Sequence, residues 1–127
     1  KVELIEITNG IRSLNQLNAH NHTQALVVRN NSIIVKENSR GTKKMLQSII
    51  KAKNNQGILI KFPKKKQDLR VDLPTVGLDT IKDCKKANLK GVVLKANQNI
   101  FLDKRKSIIF ANKNKIFITI KWKKYLF

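Results

Sequence analysis

The sequence predicts an α/β fold: a mixed sheet with interleaved helices packed on it, in a single domain. Helical and strand-like periods alternate along the whole chain, the pattern of a layered α/β domain. The runs "ILIKF", "VVLKA" and "IFITI" are short and predominantly apolar, as strands buried on both faces are. At 127 residues with 41% hydrophobic content, the chain is long enough for one real core.

Leu4, Ile7, Ile11, Leu14 and Leu17 recur at three- and four-residue spacing, which predicts a helix over 4–18 with these residues inward. "QALVVRNNSIIVKE" reads as two strands joined by a tight turn at Asn30-Asn31, because Asn tolerates positive φ. A helix is expected next, with Thr42 as N-cap, Met45, Leu46, Ile49 and Ile50 as its buried stripe, and Gly57 closing the segment. "ILIKF" follows as a strand and "PKKKQ" as a loop. "DLRVDL" alternates as an extended segment that Pro74 ends. Residues 78–90 predict a helix with Leu78, Ile81, Cys84 and Leu89 inward. Gly91 admits the strand "VVLKA", and the turn "NQN" leads to "IFL". Asp103 is placed as the N-cap of a helix carrying Ile108, Ile109 and Ala111. "IFITI" is the last strand, and residues 121–127 are a tail without a clear pattern. The chain has no initiator Met and opens almost directly into a helical pattern, as expected of a piece of something longer.

The formal net charge is +19, which favours anionic partners. Lysine supplies all but five of the 27 basic residues. Arginine, the residue suited to bidentate phosphate recognition, is scarce. Lys, Asn and Ile share AT-rich codons, so compositional drift is the favoured source of the excess. No run approaches the ~20 apolar residues that span a bilayer. The single cysteine, Cys84, excludes an internal disulfide. With no secretion signal visible, a reducing cytosolic setting is expected. Cys84 itself reads as a small buried hydrophobe. There is no CxxC, HExxH or Cys/His cluster to suggest zinc, and His20 and His22 fall in a polar loop.

Residues 64–77, "KKKQDLRVDLPTVG", are the chemically informative stretch. Two of only eight acidic residues lie here, beside the densest positive charge. In an extended segment Asp68, Arg70 and Asp72 share one face, with Leu69, Val71 and Leu73 on the other. An arginine between two carboxylates holds both ionised. Such carboxylates can bind a divalent cation or take a proton from water. Lys61, Lys64 and Arg70 can neutralise phosphate oxygens. Asp68 and Asp72 would lie roughly 13 Å apart along a strand, which points to different roles for the two. "RGTKK" is not a P-loop, since the GxxxxGK[ST] spacing is absent.

The stretch "LIKFPKKKQDLRVDLPTVG" resembles the LpxI-type UDP-2,3-diacylglucosamine diphosphatases of lipid A synthesis. The matching positions are Lys61, Pro63, Lys64, Gln67, Asp68, Arg70, Val71, Asp72, Leu73, Pro74, Thr75 and Gly77. "QALVVRNNSIIVKENSRGT" is similar to the family's hairpin leading to a Glu and a Gly-Thr, at Gln24, Ala25, Val27, Val28, Glu37, Gly41 and Thr42. "LKGVVLKANQNIFLD" resembles a later family stretch, and the likeness runs from about residue 4 to 120. The chain departs from the family near Arg40 and at Lys43, where acidic residues are usual, and at Lys65-Lys66, where Pro-Gly is.

The resemblance implies the C-terminal catalytic and substrate domain of a two-domain enzyme whose N-terminal domain this chain lacks, with the cleft between the domains. The fragment alone is then expected to hold key residues yet need its other half for turnover. The implied reaction is Mg²⁺-dependent hydrolysis of the pyrophosphate of UDP-2,3-diacylglucosamine to UMP and 2,3-diacylglucosamine 1-phosphate. Asp68 and Asp72 are the candidate catalytic residues. Lys61, Lys64, Gln67, Arg70, Thr75 and Thr42 are candidates for substrate binding, and Asp72 and Glu37 for metal. The implied partners are a lipid-linked UDP-sugar and the inner face of the cytoplasmic membrane, touched peripherally from the cytoplasm; a homodimer stays open. Two other readings compete: a basic nucleic-acid-binding module and a non-catalytic interaction domain. The first rests on charge alone, with no RNP-like aromatic motif or GXXG loop in the sequence.

Overall fold

The computed structural model describes residues 2–21, 25–38, 40–49, 56–62, 75–95 and 100–121. Five strands form one sheet in the order β2-β1-β3-β5-β7, and β4 and β6 form a small second sheet. The strands are β1 (Ala25–Arg29), β2 (Ser32–Lys36), β3 (Ile58–Lys61), β4 (Thr75–Val76), β5 (Gly91–Lys95), β6 (Ile100–Phe101) and β7 (Phe117–Lys121). The helices are α1 (Val2–Asn21), α2 (Gly41–Gln47), α3 (Leu78–Lys86) and α4 (Lys104–Lys113).

β1 and β2 form the expected hairpin. Asn30 and Asn31 turn it with φ of 52° and 66°, the left-handed conformation that Asn tolerates. β1 then pairs antiparallel with β3, with Ala25 opposite Lys61. β3, β5 and β7 run parallel, with Lys61 opposite Leu94 and Lys95 opposite Lys121. Parallel neighbours need long crossovers, and α3 and α4 supply them. The sheet is mixed, as the sequence predicts.

The pleat of the sheet divides the core in two. Val27, Leu59, Val92 and Leu94 face α2, α3 and α4, where they meet Met45, Leu46, Ile81, Cys84 and Ala111. Leu26, Val28, Ile58, Ile60 and Val93 face α1, where they meet Ile7, Ile11 and Leu14. Both faces of β3 are therefore covered, which is why "ILIKF" shows no polar alternation.

α1 lies close against the sheet because of Gly10. A Cβ there would sit 2.2 Å from Ile60 Cδ1 and 2.7 Å from Val28 Cγ2. The same helix is tied down by a buried Glu6, which pairs with Lys90 at 2.9 Å, and by Asn9 Nδ2, which donates to Asn31 Oδ1 at 2.9 Å.

Several local expectations fail. Leu4 is exposed, not inward; Ile7, Ile11 and Leu14 carry the buried face, so the stripe begins a turn later. α2 ends at Gln47, well before Gly57, and its N-cap position is Arg40, not Thr42. Asp103 does occupy the N-cap position of α4, but in a left-handed conformation and without a side-chain capping bond. Ile108 and Ile109 point outward, and Ser107 and Ala111 take the inward positions. Leu89 is buried just beyond the end of α3. The "DLRVDL" segment, Ile50 and the tail residues 122–127 lie outside the described residues.

Replacing Gly10 with Val forces Ile60 and Val28 apart in a filled core. Gly10→Val should lose about 2 kcal/mol of stability, read from urea unfolding midpoints at unchanged m. An unchanged midpoint would show that α1 does not approach this closely.

Candidate functional site

Four strands of the main sheet point the same way, and each ends on a lysine: Lys36 on β2, Lys61 on β3, Lys95 on β5 and Lys121 on β7. β1 runs the other way. The carboxyl ends of the strands in an open α/β sheet are where ligands bind, and here that edge is cationic. The sequence carried the signal as a recurrent apolar run closed by lysine: "SIIVK", "ILIK", "GVVLK" and "FITIK". It becomes legible only once the strands are known to share a direction.

Lys61 is the unusual member. It is only 8% exposed, on the face of the sheet that carries α2, α3 and α4. Burial pushes its ammonium below the ordinary lysine range, while the Glu37 carboxylate and Cys84 act in the opposite direction. The sequence places Glu37 immediately after β2, and its N–H donates to the Ala25 carbonyl at 2.9 Å. Ala25 in turn lies opposite Lys61, so the two charged residues come to the same end of the sheet on either side of β1.

Thr42 completes the group. Its hydroxyl donates to Glu37 Oε1 from within the first turn of α2, one position past the helix start. The connecting loop is shaped for this contact. Asn38 Oδ1 accepts from the Arg40 N–H at 2.8 Å, the Asn38 carbonyl accepts from the Gly41 N–H at 3.1 Å, and Gly41 takes a φ of +90°. That φ favours glycine, so Gly41 is a conformational requirement of the loop.

Of the residues the sequence nominates, Lys61, Glu37 and Thr42 are thus brought together. Thr75 is in β4, paired with Ile100, and its side chain is not described. Lys64, Gln67, Asp68, Arg70 and Asp72 lie outside the described residues. Their stretch leaves the sheet directly after Phe62, at the lysine-lined edge, and returns at β4. Lys95, which sequence reasoning did not single out, sits at the same edge with its Nζ 5.8 Å from the centre of the Phe62 ring. No three His, Cys, Asp or Glu side chains gather in a metal-binding cluster among the described residues. Glu37 offers one hard oxygen donor there, so a divalent cation at this edge would need further carboxylates, and residues 63–74 hold two.

Cys84 is fully buried beneath this group, and burial with the nearby Asp83 charge pushes its thiol far up, out of the thiolate range. It is part of the packing under Lys61, as the sequence suggests.

A mixed sheet whose co-directional strands end on lysines, with a carboxylate and a hydroxyl beside them, defines an α/β domain with a cationic strand end, a surface that attracts anions. The chain belongs to the LpxI family: residues 1–119 match the LpxI C-terminal domain. It is 32% identical over 103 residues to the UDP-2,3-diacylglucosamine pyrophosphatase LpxI of Caulobacter vibrioides, covering 75% of this chain and 37% of that protein. The chain therefore spans little more than a third of that relative's length.

Because Cys84 has no exposure, a thiol reagent should label it only as fast as the chain unfolds. Labelling by Ellman's reagent in native buffer should be slow, and in urea immediate and stoichiometric. Rapid labelling of the folded protein would contradict the packing beneath Lys61.

Proposed function

We propose that this chain is the diphosphate-handling domain of a UDP-2,3-diacylglucosamine diphosphatase, acting together with a second, N-terminal domain. The observation that supports this most is the cationic strand edge with Glu37, Thr42 and Lys61 gathered on it, from which the family's most specific motif departs. Water adds across the P–O–P bridge, one bridging P–O bond breaks, and the products are UMP and 2,3-diacylglucosamine 1-phosphate. Lys61, Lys64 and Arg70 bind the diphosphate oxygens and offset the charge that builds on them. Gln67, Thr75 and Thr42 orient the substrate by hydrogen bonding. Asp68 or Asp72 takes the proton from the attacking water.

Mg²⁺ suits the donor types proposed for it, since Glu37 and Asp72 are hard carboxylate oxygens. When bound, the ion would draw electron density from phosphate oxygens. Thr42 holds one of the Glu37 oxygens and so fixes the orientation of the group. The substitution of Lys43 for a usual acidic residue leaves Glu37 with fewer carboxylate neighbours. We further propose peripheral contact with the inner face of the cytoplasmic membrane, where the lipid-linked substrate resides; whether the enzyme works as a homodimer is an outcome for solution measurement.

In the complete enzyme, Asp72→Ala should reduce UMP release by roughly 100-fold or more, followed by chromatography of the nucleotide product. Lys61→Met should reduce it by at least about tenfold, the usual scale for a lost charged contact. Near-normal release by both Asp72→Ala and Asp68→Ala would overturn the assignment. Chain binding to nucleic acid that survives physiological salt would favour the competing reading.

A further inference from the structure

We propose that α4 and the end of edge strand β7 form a docking face for an anionic lipid bilayer; this deepens the membrane contact proposed above by assigning it a surface. Large apolar side chains crowd this part of the molecule without cover. Ile109 is 62% exposed, Leu102 53%, Ile120 47% and Ile108 40%. They are four of the eight exposed large hydrophobic residues among the described ones, and all fall within residues 102–120.

The charge around them is of one sign. Lys104, Arg105, Lys106, Lys113 and Lys115 are all exposed, and Asp103 is the single acidic residue between 100 and 121. On the helix, Arg105, Ile109 and Lys113 follow at i, i+4 and i+8, so one outward row reads basic, apolar, basic. Beside it Ile108 and Ile120 line a groove of about 410 Å³ with Lys104 at its rim. The first turn of α4 carries cations and no acid, the unfavourable sign for a helix N-terminus. A negative surface would relieve that placement.

The combination selects its partner. Nucleic acid would neutralise the lysines but leave four aliphatic side chains against water or phosphate. A second copy meeting face to face would bring the two cation clusters together. A bilayer with anionic headgroups takes both components at once: isoleucines enter the acyl boundary while long cationic side chains stay at headgroup level. Topology adds a second argument. α4 begins, and β7 ends, at the same end of the sheet as Lys61. Docked through Leu102, Ile109 and Ile120, the lysine-lined edge is brought to the membrane side, where a lipid-linked diphosphate lies.

The test is sedimentation of the full chain with vesicles of phosphatidylcholine alone or with one-third phosphatidylglycerol. The chain should bind the anionic vesicles and scarcely the neutral ones. Ile109→Asp and, separately, Arg105→Glu with Lys113→Glu should each weaken binding about tenfold or more. The control is Lys44→Glu with Lys86→Glu, two exposed lysines on α2 and α3 outside the patch, which makes the same change in net charge and should weaken it far less. Circular dichroism of each variant checks that it is folded, which is expected because all the altered side chains are exposed. Equal losses in the control and patch variants would overturn the proposal in favour of unspecific charge attraction. Undiminished binding by folded Ile109→Asp would also overturn it, as would a shift from dimer to monomer in the patch variants, which would make the face a contact between copies. Vesicle binding is read without turnover, so failure of the hydrolase reading leaves this result standing. Conversely, patch variants that hydrolyse detergent-dispersed substrate normally while failing to bind vesicles separate docking from chemistry.

Discussion

Lys61 ends the central strand with its side chain withdrawn from water, and the Glu37 carboxylate is the charge set against it. An ammonium in that position is costly unless an anion shares the space. The local architecture follows from meeting that condition. The hairpin turn at Asn30-Asn31 brings β2 back so that Glu37 arrives next to Ala25, and antiparallel pairing places Ala25 opposite Lys61. The loop to α2 uses Asn38 and the positive φ of Gly41 to return Thr42 to the same carboxylate. Removing any one of these leaves a charge near the core poorly matched.

The rest of the strand edge extends the theme. Lys36, Lys95 and Lys121 close strands that run with β3, so cations accumulate where the chain departs into residues 63–74. The charges are spread along this end of the sheet, with β1 between Lys36 and Lys61, and Lys61 opposite Leu94 while Lys95 is opposite Lys121, a spread that suits an anion of several charged groups better than a single phosphate. A carboxylate and a hydroxyl in the same place give the edge groups that can orient such a ligand as well as attract it.

The sheet was legible in the sequence because its strands are short apolar runs bounded by turn residues, and "ILIKF", "VVLKA" and "IFITI" all appear where expected. Helix boundaries and inward faces were less so. Ile108 and Ile109 fit an inward stripe by hydrophobicity, yet the close fit of α4 selected Ser107 and Ala111 for the interior and turned the isoleucines out. Thr42 had the chemistry of a cap, but the helix starts at Gly41 and the Thr42 hydroxyl bonds Glu37 across the preceding loop. Three nominated side chains converge in space: Lys61 from the motif segment, and Glu37 and Thr42 from the hairpin segment that the family resemblance pointed to. Their convergence was not legible, because it depends on pairing between residues 36 positions apart in sequence, Ala25 and Lys61. Lys95 went unnoticed because a lone lysine after a strand gives no signal until strand direction is known.

The direct test is the titration of the Lys61 ε-carbon by NMR in lysine-labelled protein, assigned by the signal lost in Lys61→Met. Burial outweighs the nearby Glu37 charge, so the midpoint should lie clearly below the ordinary lysine value of about 10.4, apart from the main lysine envelope. Glu37→Gln removes the neighbour that favours the charged form and should move the midpoint lower still. A Lys61 that titrates with the other lysines, or whose midpoint is indifferent to Glu37, would mean that the ammonium is not held against this carboxylate, and the site built upon the pair would fall with it.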